Sequence, residues 1–379
     1  LFQTVFCLVW GMIISLALCT FMMVLSLNAR QRQWQTMSSV FAFGLLLFAF
    51  SIISSAMSGI MFFAPAYDTA EFWWWNGFAI VYLLTYIAMF QQITAAQLTF
   101  EAADKSTRIR LLSSLQFFLV WGAMLLGSQL TSLTLDREII VGFSIFQYVH
   151  WAVFTLIATT ENDYLSRRIR RDLPQRAIFR LLLWPFLPGG TRGLVYCIGH
   201  LLLLGLIPPL LYENLMTLNA DMFVVYAVVT CYYVIYANAG TAMMRWGNTI
   251  SGDFRPAHAR LILVVLIAVS MFIPIIPRLF STYGWDSSFA WYDIISPAMT
   301  IAFVSNNYGD TEYIASVMGV VALLSTVINA RSIFKSLNEV IHVDRHGQLQ
   351  IAIPVKDQEQ EEDEDDETAN GELLEVVPE

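Results

Sequence analysis

The chain has 379 residues, 57% of them hydrophobic and only 13% charged, with a mean hydropathy of +0.59. Soluble domains carry roughly 25% charged residues, so the composition excludes an ordinary soluble globular domain. The net charge of −9 is an average over two unlike parts: positions 357–379 hold twelve acids and no base, and the remainder is weakly basic.

Apolar residues fall in runs of about 20, the length a helix needs to cross a bilayer. A membrane β-barrel would show alternating segments of about ten residues instead, and the chain has none. The predicted fold is therefore all-α, a polytopic transmembrane helical bundle.

Span 1 is predicted from Phe2 to Leu27 and ends at a polar loop with Arg30 and Arg32. Span 2 covers Ser38–Ala64 and is closed by Pro65. Trp73, Trp74 and Trp75 open span 3, which runs to Phe100, and three indoles at a span entrance read as an aromatic belt. Span 4 is Leu111–Leu133, after a loop with Lys105, Arg108 and Arg110, and span 5 is Ile139–Thr159. A linker, Tyr164–Arg192, then carries seven arginines. Spans 6, 7 and 8 are Gly193–Leu211, Met222–Met244 and Leu261–Ile276. Cys7, Cys19, Cys197 and Cys231 all lie within apolar runs. Their spacing suits neither zinc nor a disulfide framework, so they read as small buried hydrophobes.

The last apolar region decides the topology. Asp293–Val304 is too short to span and contains Pro297, whereas Tyr313–Ala330 is long enough. If the short run dips in and returns, nineteen of the 21 basic residues fall on one side, and only Arg137 and Arg278 on the other. The side rich in Lys and Arg is the cytoplasmic one. The expectation is about nine full spans plus one re-entrant or interfacial half-span, with the N-terminus outside and the C-terminus inside. An outside N-terminus without a cleavable signal predicts at least one further span upstream of Leu1. Residues 1–342 then form the transmembrane domain, with the basic linker at 164–192, and 343–379 a cytoplasmic acidic tail too charged to collapse.

No Walker A motif, HExxH or GxSxG occurs, and the predicted spans hold no Asp, Glu, Lys or Arg near their centres. No catalytic residue, metal or cofactor is expected. A proton- or sodium-coupled carrier needs a mid-depth carboxylate, so that class is disfavoured. What remains is neutral polarity. Gln91, Thr94 and Gln97 fall on one face of span 3, Gln147 and His150 lie three apart in span 5, His200 is in span 6 and Asn238 in span 7. Two readings stay open: hydrogen-bonded glue between helices, or a polar substrate path lined by Gln91, Gln97, Gln147, His150 and His200. His150 is the strongest single path candidate, since imidazole changes charge near neutral pH.

Leu165, Ile169 and Leu173 recur every four residues, with Arg167, Arg168, Arg170 and Arg171 between them. That is a helix with one greasy stripe and a basic remainder, suited to the membrane interface. Pro174 can open a second helix, carrying Arg176 and Arg180 and ending before Pro185. These arginines either hold the cytoplasmic side against anionic headgroups or form a coupling element that docks a separate ATPase.

Two stretches, QQITAAQLTFEAADKSTRIRLL (Gln91–Leu112) and LSRRIRRDLPQRAIFRLLLWPFLPGGTRGL (Leu165–Leu194), carry a resemblance. Over residues 90–200 the chain resembles the C-terminal membrane region of bacterial ABC-2-type transporter permeases. The resemblance implies a multi-pass protein of the bacterial plasma (inner) membrane, part of a homo- or hetero-oligomer. ATP would be hydrolysed by a separate ATPase subunit, and the cargo would be of the lipid, glycan or drug type. No nucleic-acid partner is implied. Two alternatives of other classes are an integral membrane enzyme acting on lipid or glycan, with His150 or His200 in its site, and a scaffold or sensor recruiting partners through the acidic tail.

Overall fold

The computed structural model describes residues 2–28, 69–99, 104–130, 137–211, 220–251, 254–280, 291–305 and 311–342. Among the described residues the regular elements are all helical. In chain order they are α1 (Phe2–Asn28), α2 (Ala70–Leu98), α3 (Thr107–Leu130), α4 (Arg137–Ala158), α5 (Arg167–Arg171), α6 (Ala177–Leu183), α7 (Gly190–Leu211), α8 (Ala220–Ile250), α9 (Pro256–Phe272), α10 (Ile275–Phe280), α11 (Pro297–Ser305) and α12 (Thr311–Ile341). Two short 3-10 turns, Trp184–Phe186 and Trp291–Ile295, precede α7 and α11. Span 2 and the acidic tail lie outside the described residues.

Eight of these helices (α1, α2, α3, α4, α7, α8, α9 and α12) are long and apolar enough to cross a membrane. Their outward surfaces are apolar: Met12 is 73% exposed, Leu261 64% and Leu323 65%. In water so much exposed apolar area would drive association; against hydrocarbon it is the ordinary contact surface of a span. The chain is a multi-pass membrane protein whose outer faces meet the bilayer.

Helix α8 is the central element, packed against α4, α7, α9, α11 and α12. Backbone polar groups in these helices are satisfied internally, so packing and side-chain hydrogen bonds decide how the helices assemble. Asn238 of α8 and Asn329 of α12 supply one such contact: the Asn329 amide donates to Asn238 Oδ1 at 2.9 Å, and Asn238 donates to Thr326 Oγ1 at 3.1 Å. Tyr232 of α8 ties α11 to the bundle by donating to the Ile294 carbonyl and to Thr300 Oγ1. Cross-helix bonding was expected of Asn238; its partner Asn329 was not singled out.

At nine residues, α11 is too short to span at about 1.5 Å per residue. Two cross-helix contacts place the helix ends on either side of it. Arg260, in the first turns of α9, donates to Thr160 just past α4, while Glu339, near the end of α12, pairs with Arg192 in the first turn of α7. Thus α9 begins and α12 finishes at the same end of the bundle, called the basic end below.

Four local expectations need correcting. The three tryptophans do not form one belt, because consecutive residues point about 100° apart on a helix. Trp73 is 50% exposed, whereas Trp74 donates to the Ala123 carbonyl of α3 and Trp75 stacks on Phe143. Pro174 does not open a helix; α6 starts at Ala177 with Arg176 as its N-cap. Of the cysteines, Cys197 is buried, but Cys19 is exposed on the outer surface of α1. Finally, α12 does not stop at Ala330 but runs to Ile341. Its extension keeps an apolar stripe (Ile333, Leu337, Val340) that packs on the linker.

Helices approach closely at Gly193, where an added Cβ would sit 2.2 Å from the Ala158 carbonyl oxygen, while Gly199 on the same helix has open space. Gly193→Ala is expected to lower the thermal midpoint of the detergent-solubilised protein by the equivalent of about 1–3 kcal/mol of overpacking. Gly199→Ala should leave it unchanged or raise it slightly. Fluorescence-detected unfolding of both variants checks the pair.

Candidate functional site

The linker sequence PGGTRG (Pro188–Gly193) folds into the start of α7 and becomes the meeting point of the basic end. Gly189 has φ of +130°, a backbone conformation that side-chain-bearing residues rarely adopt. Its N–H donates to Glu161 Oε2 at 3.0 Å. Asp163 accepts from the Thr191 N–H at 2.8 Å and from the Thr191 hydroxyl. Two carboxylates thus take up N–H donors that the helix start leaves unpaired, where the helix dipole favours negative charge.

Two buried arginines, each 1% exposed, complete the arrangement. Arg110 of α3 binds Glu161 at 2.8 Å and donates to the carbonyls of Pro185, Leu187 and Gly189. Arg192 binds Glu339 of α12 and donates to the Pro188 carbonyl at 2.6 Å. Ser106 donates to the other oxygen of Glu161 at 2.9 Å. The ends of α3, α4, α7 and α12 are therefore joined through one short loop.

The basic linker is clipped onto this hub. Leu165, Ile169 and Leu173 are buried, as their four-residue spacing implies, but they pack on Trp184, Leu187 and Val340. The greasy stripe faces protein, and the linker lies flat against the extension of α12. Arg180 is buried, donating to the Pro174 carbonyl and to the Ile341 carbonyl at the end of α12. Trp184 donates to Ser336 at 3.2 Å. Of the six arginines proposed as a coupling surface, Arg167, Arg168, Arg171 and Arg176 are exposed, Arg170 is partly buried, and Arg180 serves as a clip.

Beneath the hub, inside the bundle, is a second polar cluster. Gln147 donates to the Tyr82 hydroxyl at 3.3 Å; Tyr82 and Tyr86 lie 3.5 Å apart; His150 sits between the Tyr86 hydroxyl (2.9 Å) and Ser113 (2.8 Å). One residue along α3, Ser114 contacts His200 Nε2 and the Tyr196 hydroxyl, both at 3.0 Å. Tyr196 donates to the Arg110 carbonyl at 2.6 Å. The His200 ring also stacks on Trp151 with centroids 4.5 Å apart.

Proton accounting separates the two histidines. His150 faces two hydroxyls, and a neutral ring satisfies both. His200 places Nδ1 2.9 Å from the Tyr196 carbonyl, so that nitrogen carries hydrogen. With a neutral His200, the contacts from Nε2 through Ser114 and Tyr196 to the Arg110 carbonyl are one proton short. A neutral ring has Ser114 donating to Nε2 and Tyr196 donating to the carbonyl, with no hydrogen left for the Ser114–Tyr196 contact.

Of the five proposed path residues, Gln147, His150 and His200 fall in this one cluster. Gln91 and Gln97 do not join it. They lie further along α2, Gln91 exposed on a shallow recess between α2 and α3, and Gln97 partly buried. Residues three and six apart share a face of a helix, but the face they share here straddles the edge of the bundle. Glu161, Asp163, Arg110 and Glu339 were not singled out from sequence. The available signal was a pair of carboxylates (Glu161, Asp163) directly after a span and beside an arginine-rich stretch ending in PGG.

No family model, no curated protein and no solved structure matches this chain. The functional reading therefore rests on the residues and their geometry. Among the described residues, no group of three or more His, Cys, Asp or Glu side chains is placed to hold a metal.

Removing one partner of a buried ion pair costs about 3–5 kcal/mol. Arg110→Ala is expected to lower stability by that order, and Glu161→Gln by less, since Glu161 is 21% exposed. The double variant should lose less than the sum of the singles, which a double-mutant cycle on thermal or denaturant unfolding measures. Strict additivity would mean the pair carries no coupling.

Proposed function

We propose that this chain is the membrane-embedded permease subunit of an ABC-type transport system of the bacterial inner membrane, with ATP hydrolysed by a separate subunit. In this reading the basic end is cytoplasmic, because Lys and Arg collect there. Counting the segment at 38–64, the chain crosses nine times with α11 as a half-span, its N-terminus outside and its C-terminus inside. The sequence resemblance over residues 90–200 supports the assignment, as does the lack of any nucleotide-binding motif in a chain with only three lysines.

The observation that carries the proposal is the mounting of the linker. Arg167, Arg168, Arg171 and Arg176 face outward, while the segment beneath them is fastened to α7 and α12 by Trp184, Arg180 and the Arg192–Glu339 pair. A subunit that pushes on those arginines moves the start of α7 directly. Helix α7 carries Tyr196 and His200, so the displacement reaches the polar cluster formed by His150, Gln147 and the two serines. That cluster is the proposed cargo-facing element.

The enzyme alternative draws less support. His150 and His200 each contact a serine, yet among the described residues neither imidazole has a carboxylate partner to orient it, as serine-type catalysis uses.

Purified alone, the protein should hydrolyse no ATP; expressed with its native neighbours, it should co-purify with an ATPase. Reversing charge at Arg167, Arg168, Arg171 and Arg176 to Glu is expected to reduce the co-purified ATPase by about tenfold or more, with the thermal midpoint unchanged. Undiminished ATPase recovery from the charge-reversed protein would refute the docking role.

A further inference from the structure

At the basic end, α7, α8 and α12 line an open cavity of about 600 Å³, within the size range of small-ligand sites. Its cations come from three helices: Arg192 from α7, Arg245 from α8, and Arg331 and Lys335 from α12. Three carboxylates also line it, but each already has partners. Glu161 accepts from Arg110, Ser106 and Gly189, Asp163 from Thr191, and Glu339 from Arg192. Arg245, Arg331 and Lys335 form no ion pair among the described residues.

Helices α8 and α12 run side by side and in the same direction, pinned together at Asn238–Asn329. Arg245 follows Asn238 by two turns, and Arg331 and Lys335 follow Asn329 by less than two. Arg245 and Lys335 are thus held near one level, with Arg331 about a turn closer to the Asn pair. Basic side chains at the end of a span are where anionic headgroups meet protein. Like charges gathered this way repel one another, and an anion between them removes the cost. Ser332 adds a hydroxyl, and the buried Arg192 has an Nε without a partner. Guanidinium, ammonium and hydroxyl donors converging from different helices match the oxygens of a tetrahedral phosphoryl group.

We infer that this cavity binds a phosphoryl group, presented either by an anionic lipid headgroup in the adjoining leaflet or by a free phosphate compound. The site does not depend on the transport assignment.

The test is the thermal midpoint of the full chain in detergent with three probes: dioctanoyl phosphatidic acid, dioctanoylglycerol and inorganic phosphate. A ligand bound only by the folded state raises the midpoint. Phosphatidic acid should raise it and dioctanoylglycerol should not. A rise with inorganic phosphate as well assigns the site to free phosphates, and none assigns it to lipid. The Arg245→Gln/Lys335→Gln double variant should lose the phosphatidic acid shift at least tenfold in ligand concentration. Because Arg331 is exposed, Arg331→Gln gives a second reading less exposed to folding defects. Replacing Arg167, Arg168, Arg171 and Arg176 by Gln should leave the shift intact. The inference is overturned by equal shifts from phosphatidic acid and dioctanoylglycerol, by no shift with any phosphoryl probe, or by a shift that survives the cavity variants.

Discussion

The start of α7 holds this structure together. Helices meeting at a membrane surface leave unpaired N–H groups and unmatched charges in a place where water is scarce. Here Glu161 and Asp163 accept those N–H groups, and Arg110 balances Glu161 while gathering three loop carbonyls. Arg192 carries the connection on to α12 through Glu339. Burying a guanidinium group is costly unless it is paired, and four helix ends come together to pair these two. The close approach of Gly193 to Ala158 is the steric counterpart of the same requirement.

Much of the architecture was legible in the sequence because lipid imposes a simple code. Run length identifies spans, and the sorting of Lys and Arg identifies a side. Both rules make the run at α11 a half-span, and the helix found there, at nine residues, is too short to cross. The extension of α12 was not legible, since Arg331 and Lys335 interrupt the hydrophobic run while leaving the helical stripe of Ile333, Leu337 and Val340 intact. Run length measures exposure to lipid, and this segment is buried against protein instead.

The site was harder to read. Gln147, His150 and His200 converge because they lie on facing sides of α4 and α7, whereas Gln91 shares their chemistry but lies on the outer side of α2. Residue type alone does not distinguish these cases. Arg110 and Glu161, 51 positions apart, read as ordinary loop charges until the fold brings them together. Two hydroxyls, those of Tyr196 and Ser114, link the carbonyl of the ion-paired Arg110 to His200.

Everything rests on α9 starting, and α12 ending, at one face of the membrane. Impermeant thiol labelling of intact cells measures this directly, using single cysteines at Arg137, Arg255, Glu312 and His342 in a chain whose native cysteines are replaced by serine or alanine. The account predicts that Arg255→Cys and His342→Cys are both protected and become reactive only after permeabilisation. Arg137→Cys and Glu312→Cys should both label in intact cells. Labelling of His342→Cys together with protection of Arg255→Cys would mean that α11 crosses the bilayer, contradicting the shared face and the ion pair between Arg192 and Glu339.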